Sequence, residues 1–162
     1  MIGSILFMPS ALDEIGATIA VDDFYVMTHQ RLWKAIENLH RRSCPAIDPV
    51  NVAEELTKMN SLEFVGGIPA IIEILNAVPH ASHVRYYAAI VKQNAFRRSV
   101  IGTARETLKH AYDKSYEISD VASRTISSIE NVLGKGQNDA RAFSDVVASL
   151  RIRQKNPLPP LS

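Results

Sequence analysis

The sequence predicts an all-α protein: a small helical bundle, then an antiparallel helical hairpin and a short linker helix. Three observations carry that prediction. No run alternates apolar and polar residues with period two in Val, Ile and Thr, as a half-buried strand would. Apolar residues recur instead at spacings of three and four through most of the chain. Helix punctuation such as Asp48-Pro49 and Gly66-Gly67 separates the periodic stretches.

Met1 to Phe7 reads as an apolar helix with Ile2, Ile5 and Leu6 on one side, broken by Pro9. Ser10, with Asp13 three residues on, resembles a capping box for a short helix ending at Ile15 or Ile19. After a turn at Val21 to Tyr25, Thr28 is placed to cap a helix to about Arg42, with the apolar stripe Leu32, Trp33, Ile36, Leu39. Asp48 and Pro49 mark the next start: the carboxylate accepts from orphan N–H groups, and proline loses no bond at the first helical position. Val52, Ala53 and Leu56 face inward, and Asn60 closes that helix in the left-handed region. Gly66-Gly67 turns the chain into an apolar helix, Pro69 to Ala77, which Pro79 ends.

From Ser82 to about Tyr112 the pattern is one long helix. Val84, Tyr87, Ala88, Val91 and Ala95 dock it on the first half, and Ile101, Ala104, Leu108 and Ala111 continue at spacings of three, four and three. A polar loop, Asp113 to Glu117, leads to a second helix capped by Ser119, with Ile118, Val121, Ala122, Thr125, Ile126, Ile129, Val132 and Leu133, and the two helices form an antiparallel hairpin with a coiled-coil-like seam. Gly134 to Asn138 is a linker. Phe143, Val146, Val147 and Leu150 form one face of a short amphipathic helix before a Pro-rich tail. The expected organisation is a globular bundle over 1–98, a hairpin over 99–134 and a linker segment over 135–162.

Composition removes several classes of function. Eighteen basic against 17 acidic residues give a net charge of +1, which excludes binding by bulk electrostatics alone. At 46% hydrophobic and 22% charged the chain is no disordered polymer. The single Cys44 excludes an internal disulfide framework and a multi-thiolate metal site. The uncharged opening run lacks a basic flank and is cut by Pro9 and Asp13, so neither a signal peptide nor a membrane span is expected; the expected compartment is the cytoplasm.

No catalytic, metal-ligating or cofactor-binding residue emerges. Around Lys135, a phosphate loop needs Gly where Ile129 stands and Ser or Thr where Gly136 stands. His80 and His83 lack a third ligand at a fitting offset, and His29, His40 and His110 are scattered on helical faces. The acid pairs Asp13-Glu14, Asp22-Asp23 and Glu54-Glu55 are helix neighbours that point apart, and Cys44 has no activating partner beyond His40. One electrostatic feature stands out. Arg85, Lys92, Arg97, Arg98, Arg105, Lys109 and Lys114 face only Glu106 and Asp113 between positions 85 and 114. That stripe is either a solvated outer face or a contact for DNA or an acidic partner, with Arg97, Arg98, Arg105 and Lys109 as its candidate residues.

The order of motifs resembles the N-terminal domain of DnaB-type replicative DNA helicases. Ile2-Gly3-Ser4-Ile5-Leu6 is similar to that family's first-helix motif. Asp23-Phe24-Tyr25, His29 and Leu32-Trp33 match its next turn and helix. Asp48, Val50, Val52-Ala53, Leu56, Leu62, Val65-Gly66-Gly67 and Leu75 continue the likeness, then Pro79 to Val84, Tyr87-Ala88, Ile90-Val91, Arg98 and Ile101. Phe143 to Leu150 corresponds to the family's linker helix. Two departures stand beside the likeness: the acidic turn before the first motif is missing, and no residue matches the RecA-like motor, which in the family uses ATP and magnesium.

The resemblance implies a non-catalytic collar domain acting in DNA replication. Its implied partners are second copies of itself, primase, and a helicase motor domain or loader, with weak DNA contact at most and no membrane. The residues expected at protein interfaces are Ile101, Ala104, Leu108, Ile126, Ile129 and Leu133, with Phe143, Val146, Val147 and Leu150 on the linker helix. The alternative is a stand-alone nucleic-acid-binding helical module using the basic helix 85–114.

Overall fold

A computed structural model of the chain describes residues 1–77 and 83–134. Every regular element among them is helical: α1 (Ile2–Phe7), α2 (Ala11–Ile15), a 3-10 turn (Val21–Asp23), α3 (Met27–Arg41), α4 (Pro49–Lys58), α5 (Leu62–Val65), α6 (Gly67–Asn76), α7 (Val84–Tyr112) and α8 (118–134). The chain divides into two compact units, Met1–Ala95 and the part from Phe96 on, so the division falls inside α7.

In the first unit α3 packs on α4, and α6 packs on α1, α4 and α5. The apolar stripe of α3 is buried as its spacing requires, with Leu32, Trp33, Ala35, Ile36 and Leu39 all inside. Ile5, Leu12, Ile15, Val52, Leu56 and Ile71 complete the centre of the core, and Val84 and Ala88 bring the start of α7 onto it. The Trp33 ring lies 5.5 Å from that of Phe24, and its indole N–H donates to Glu37 Oε1 at 3.0 Å.

The start of α4 is built as the Asp-Pro pair demands. Asp48 is extended, and its Oδ1 accepts from the backbone N–H groups of Val50 (2.9 Å) and Asn51 (2.8 Å), with Pro49 at the first helical position. A cap of this kind stabilises by about 1 kcal/mol. Asn60 then takes a left-handed φ of 50°, and Gly66 and Gly67 turn the chain with φ of 98° and 71°, where a side chain would be strained.

Three expected caps are absent. Ser10 has helical dihedrals (φ −60°, ψ −20°) that do not aim its hydroxyl back at the α2 amides. Carbonyls of the preceding turn serve those amides instead, Met8 O for Ala11 N–H and Pro9 O for Leu12 N–H. Thr28 lies inside the first turn of α3, which starts behind an extended Val26, and the Gln30 side chain anchors the entry by donating to Phe24 O at 2.8 Å. Ser119 lies within α8, where its carbonyl accepts from the Ser123 hydroxyl. The short α5 was not expected. Helix α6 begins two residues before Pro69, because the first helical turn needs no proline N–H. Pro79 and Ser82 lie outside the described residues.

A polar joint ties α3 to α4. Glu55 is buried, yet it accepts from Asn38 Nδ2 at 3.0 Å and is ion-paired with Arg42. Its neighbour Glu54 faces outward and pairs with Lys58 at 2.7 Å, as adjacent helix positions require. Burial raises the Glu55 pKa, but the hydrogen bonds from Arg42 and Asn38 outweigh it and hold the carboxyl below its ordinary value. The unfolded chain therefore binds this proton more readily than the folded one. The stability from Glu55 is complete above about pH 4.3, the unfolded value, and is lost as pH falls through the lower folded value. Melting temperature followed between neutral and acid pH will fall more steeply for the parent protein than for Glu55→Gln. Parallel profiles would refute the assignment.

Candidate interaction surface on the helical hairpin

The second unit is built on the C-terminal half of α7 and on α8, joined by a turn at 113–117. Asp113 shapes that turn: its Oδ1 accepts from the Ser115 hydroxyl (2.7 Å) and the Ser115 N–H (3.0 Å), and these bonds hold its carboxyl below the usual range. The Tyr116 ring packs at a tilt against His110, centroids 4.8 Å apart, and the Arg124 guanidinium sits 5.7 Å from the Tyr116 centroid. Those contacts fasten the tip.

Threonines and one valine close the hairpin. Val121 is buried, while Thr103, Thr107, His110, Thr125 and Val132 are half-buried. Thr125 donates its hydroxyl proton to Val121 O at 2.8 Å, so the 3.0 Å contact between the two threonine hydroxyls has Thr107 as donor. Along one side of the hairpin runs an open groove of about 560 Å³, lined by Glu106, Ser123, Arg124 and Ser127 together with the inner Thr107 and Thr125.

The other side is apolar. Ile101, Leu108, Ile126, Ile129 and Leu133 are 46–58% exposed, and Ala104 is exposed beside them. The hairpin's own closure does not use these seam positions. Hydrophobicity alone places the larger stripe inside, whereas the inner face is the narrower one formed by Thr103, Thr107, Val121 and Thr125. Seven positions separate Ile101 from Leu108, and Ile126, Ile129 and Leu133 follow at three and four, the spacing of a seam that takes a further helix. Phe143, Val146, Val147 and Leu150 lie outside the described residues.

The basic stripe divides. Lys92 is drawn into a salt bridge with Asp23 at 2.9 Å, both side chains largely shielded, and Asp23 also accepts from Ala20 N–H at 2.7 Å. Lys92 is thus a structural cation of the first unit. Arg98 and Arg85 are half-buried and have interactions of their own. Arg97 and Arg105 are exposed, and Lys109 is exposed with Glu106 3.9 Å away. Sequence reasoning missed the Asp23–Lys92 pair, since nothing in local spacing links positions so far apart.

Among the described residues no three His, Cys, Asp or Glu side chains gather to hold a metal ion, and no helix is long and apolar enough to cross a membrane. The geometry defines a helical protein module: a well-cored bundle and a hairpin with one apolar face. Residues 1–93 match the family described as DnaB-like helicase N terminal domain, and the chain belongs to that family. It is 35% identical over 140 residues to the replicative DNA helicase DnaC of Bacillus subtilis, covering 86% of this chain and 31% of that protein. With the replicative DNA helicase DnaB of Geobacillus stearothermophilus it shares 33% identity over 132 residues, 80% of this chain and 29% of the other. The crystal structure of the N-terminal domain of DnaB helicase from Mycobacterium tuberculosis superposes with a TM-score of 0.74 at 29% identity, covering 80% of this chain and 91% of that one. The chain thus spans under a third of the full-length helicases it matches, and nearly all of the solved N-terminal domain.

Proposed function

We propose that this chain serves DNA replication as a non-catalytic collar module, associating with further copies of itself through the apolar face of the hairpin. The observation that supports this reading is the exposure of Ile101, Ala104, Leu108, Ile126, Ile129 and Leu133 together on one hairpin. Taking a Leu or Ile side chain from full exposure to full burial stabilises by about 1.5–3 kcal/mol, and five half-exposed ones on each of two copies still favour association against its entropic cost. Primase, a helicase motor domain and a helicase loader are the proposed heterologous partners, on the likeness to replicative helicases. ATP and magnesium would belong to a motor domain, not to the residues of this chain.

Sedimentation velocity of the purified chain over a wide dilution series tests the self-association. The expected outcome is a concentration-dependent shift from monomer to dimer or larger species. A sedimentation coefficient fixed at the monomer value throughout would overturn the reading. DNA binding through Arg97, Arg98, Arg105 and Lys109 is the second reading, favoured by the exposure of Arg97 and Arg105. With Lys92 spent on Asp23, that stripe is weaker than its sequence count.

A further inference from the structure

Different contacts hold the two ends of α7. Its first half is fixed by the buried Val84 and Ala88 and by Lys92 on Asp23. Its last turns are tied to α8 by Thr107 on Thr125 and to the tip by His110 against Tyr116. Between them runs Ser99-Val100-Ile101-Gly102-Thr103. All five are weak helix formers: serine competes for backbone partners, the β-branched residues lose χ1 freedom, and glycine loses the most backbone entropy. Tertiary packing normally overrides such a run, but here residues 99–102 are exposed and Thr103 is half-buried. A Cβ added at Gly102 would meet nothing within 4 Å, so no close approach within the described residues accounts for that glycine.

We propose that residues 99–102 are a built-in opening point of α7, where the helix unwinds locally while both anchored stretches stay folded. Local opening is cheapest where propensity is low and apolar cover is thin, and these residues combine the two. The opening point lies just past the division between Ala95 and Phe96. A load placed on the hairpin by a bound protein is then absorbed by backbone at 99–102 before the core around Trp33 yields. Ile101 belongs both to this window and to the proposed association face, so the exchange is read at dilutions where the chain is monomeric, which separates this inference from the self-association reading.

Hydrogen exchange of the full chain, read by mass spectrometry, tests it. Peptides covering 99–106 should exchange on the order of tenfold faster than those covering 84–95. Gly102→Ala should slow exchange in that window about fivefold, the ratio of alanine to glycine helix propensity, and leave 84–95 and 120–130 unchanged. Equal protection across α7, or no effect of G102A, would overturn the proposal. So would a uniform slowing of every helix, which marks global stabilisation rather than closure of a local opening.

Discussion

Trp33→Ala will cost about 3–5 kcal/mol of stability, the range for truncating a fully buried aromatic side chain. Trp33 has no exposed surface and packs against Phe24 and the centre of the first unit. Two effects contribute, and their sizes decide which matters. Loss of the indole hydrogen bond leaves Glu37 Oε1 without its donor, but Glu37 keeps Lys34 at 3.4 Å and is partly solvated, so that loss is the smaller one. The cavity dominates. Against a typical total of about 5–15 kcal/mol, such a change lowers the melting temperature by more than about 12 °C for a unit of this size. Trp33→Phe, which keeps a ring against Phe24, should recover most of that deficit. An alanine variant melting within a few degrees of the parent would show that the core does not depend on this side chain. The consequence reaches α7, because Val84 and Ala88 pack on the same core.

The sequence and the structure agree where a signal is local and chemically specific. Asp48-Pro49 announces a helix start, and both hydrogen bonds it implies are made. Asn60 and Gly66-Gly67 take the left-handed conformations their residue types allow. The α3 stripe is buried because a 3.6-residue period leaves it no other face to bury. Ser10, Thr28 and Ser119 carried a weaker signal. A hydroxyl caps only when its own residue is extended, and these residues stand in helical positions or after a turn that already supplies the acceptors. Pairings far apart in sequence, Lys92 with Asp23 and Glu55 with Arg42 and Asn38, leave no trace in periodicity. The hairpin was legible as a hairpin, but not which face closes it, since a threonine ladder does not announce itself beside a stripe of isoleucine and leucine.

That inversion of faces makes the hairpin prediction sharp. In the double variant Leu108→Asp, Ile129→Asp, the chain should run as a monomer at concentrations where the parent protein associates. Both side chains are exposed in the single chain, so the substitutions disturb none of its closing contacts, and surface changes of this kind alter stability by no more than about 0.5 kcal/mol. Helicity and melting temperature of the variant, measured where the parent is monomeric, should therefore match the parent. In an associated pair each substitution removes roughly 0.7–1.5 kcal/mol of apolar burial, half the full value because these side chains are half covered already, and strands a carboxylate in the contact, and a symmetric pair suffers both changes twice. Loss of 4 kcal/mol already raises a dissociation constant about a thousandfold, so association should vanish from the accessible range. Thr107→Val serves as the contrast. It removes the hydroxyl bond to Thr125 inside the hairpin and leaves the apolar face intact, so it should affect stability more than association. If Asp at 108 and 129 leaves association untouched while Thr107→Val abolishes it, the contact lies on the groove side of the hairpin, which Thr107 lines, and the face formed by Ile101, Leu108, Ile126, Ile129 and Leu133 is not what copies of this chain hold.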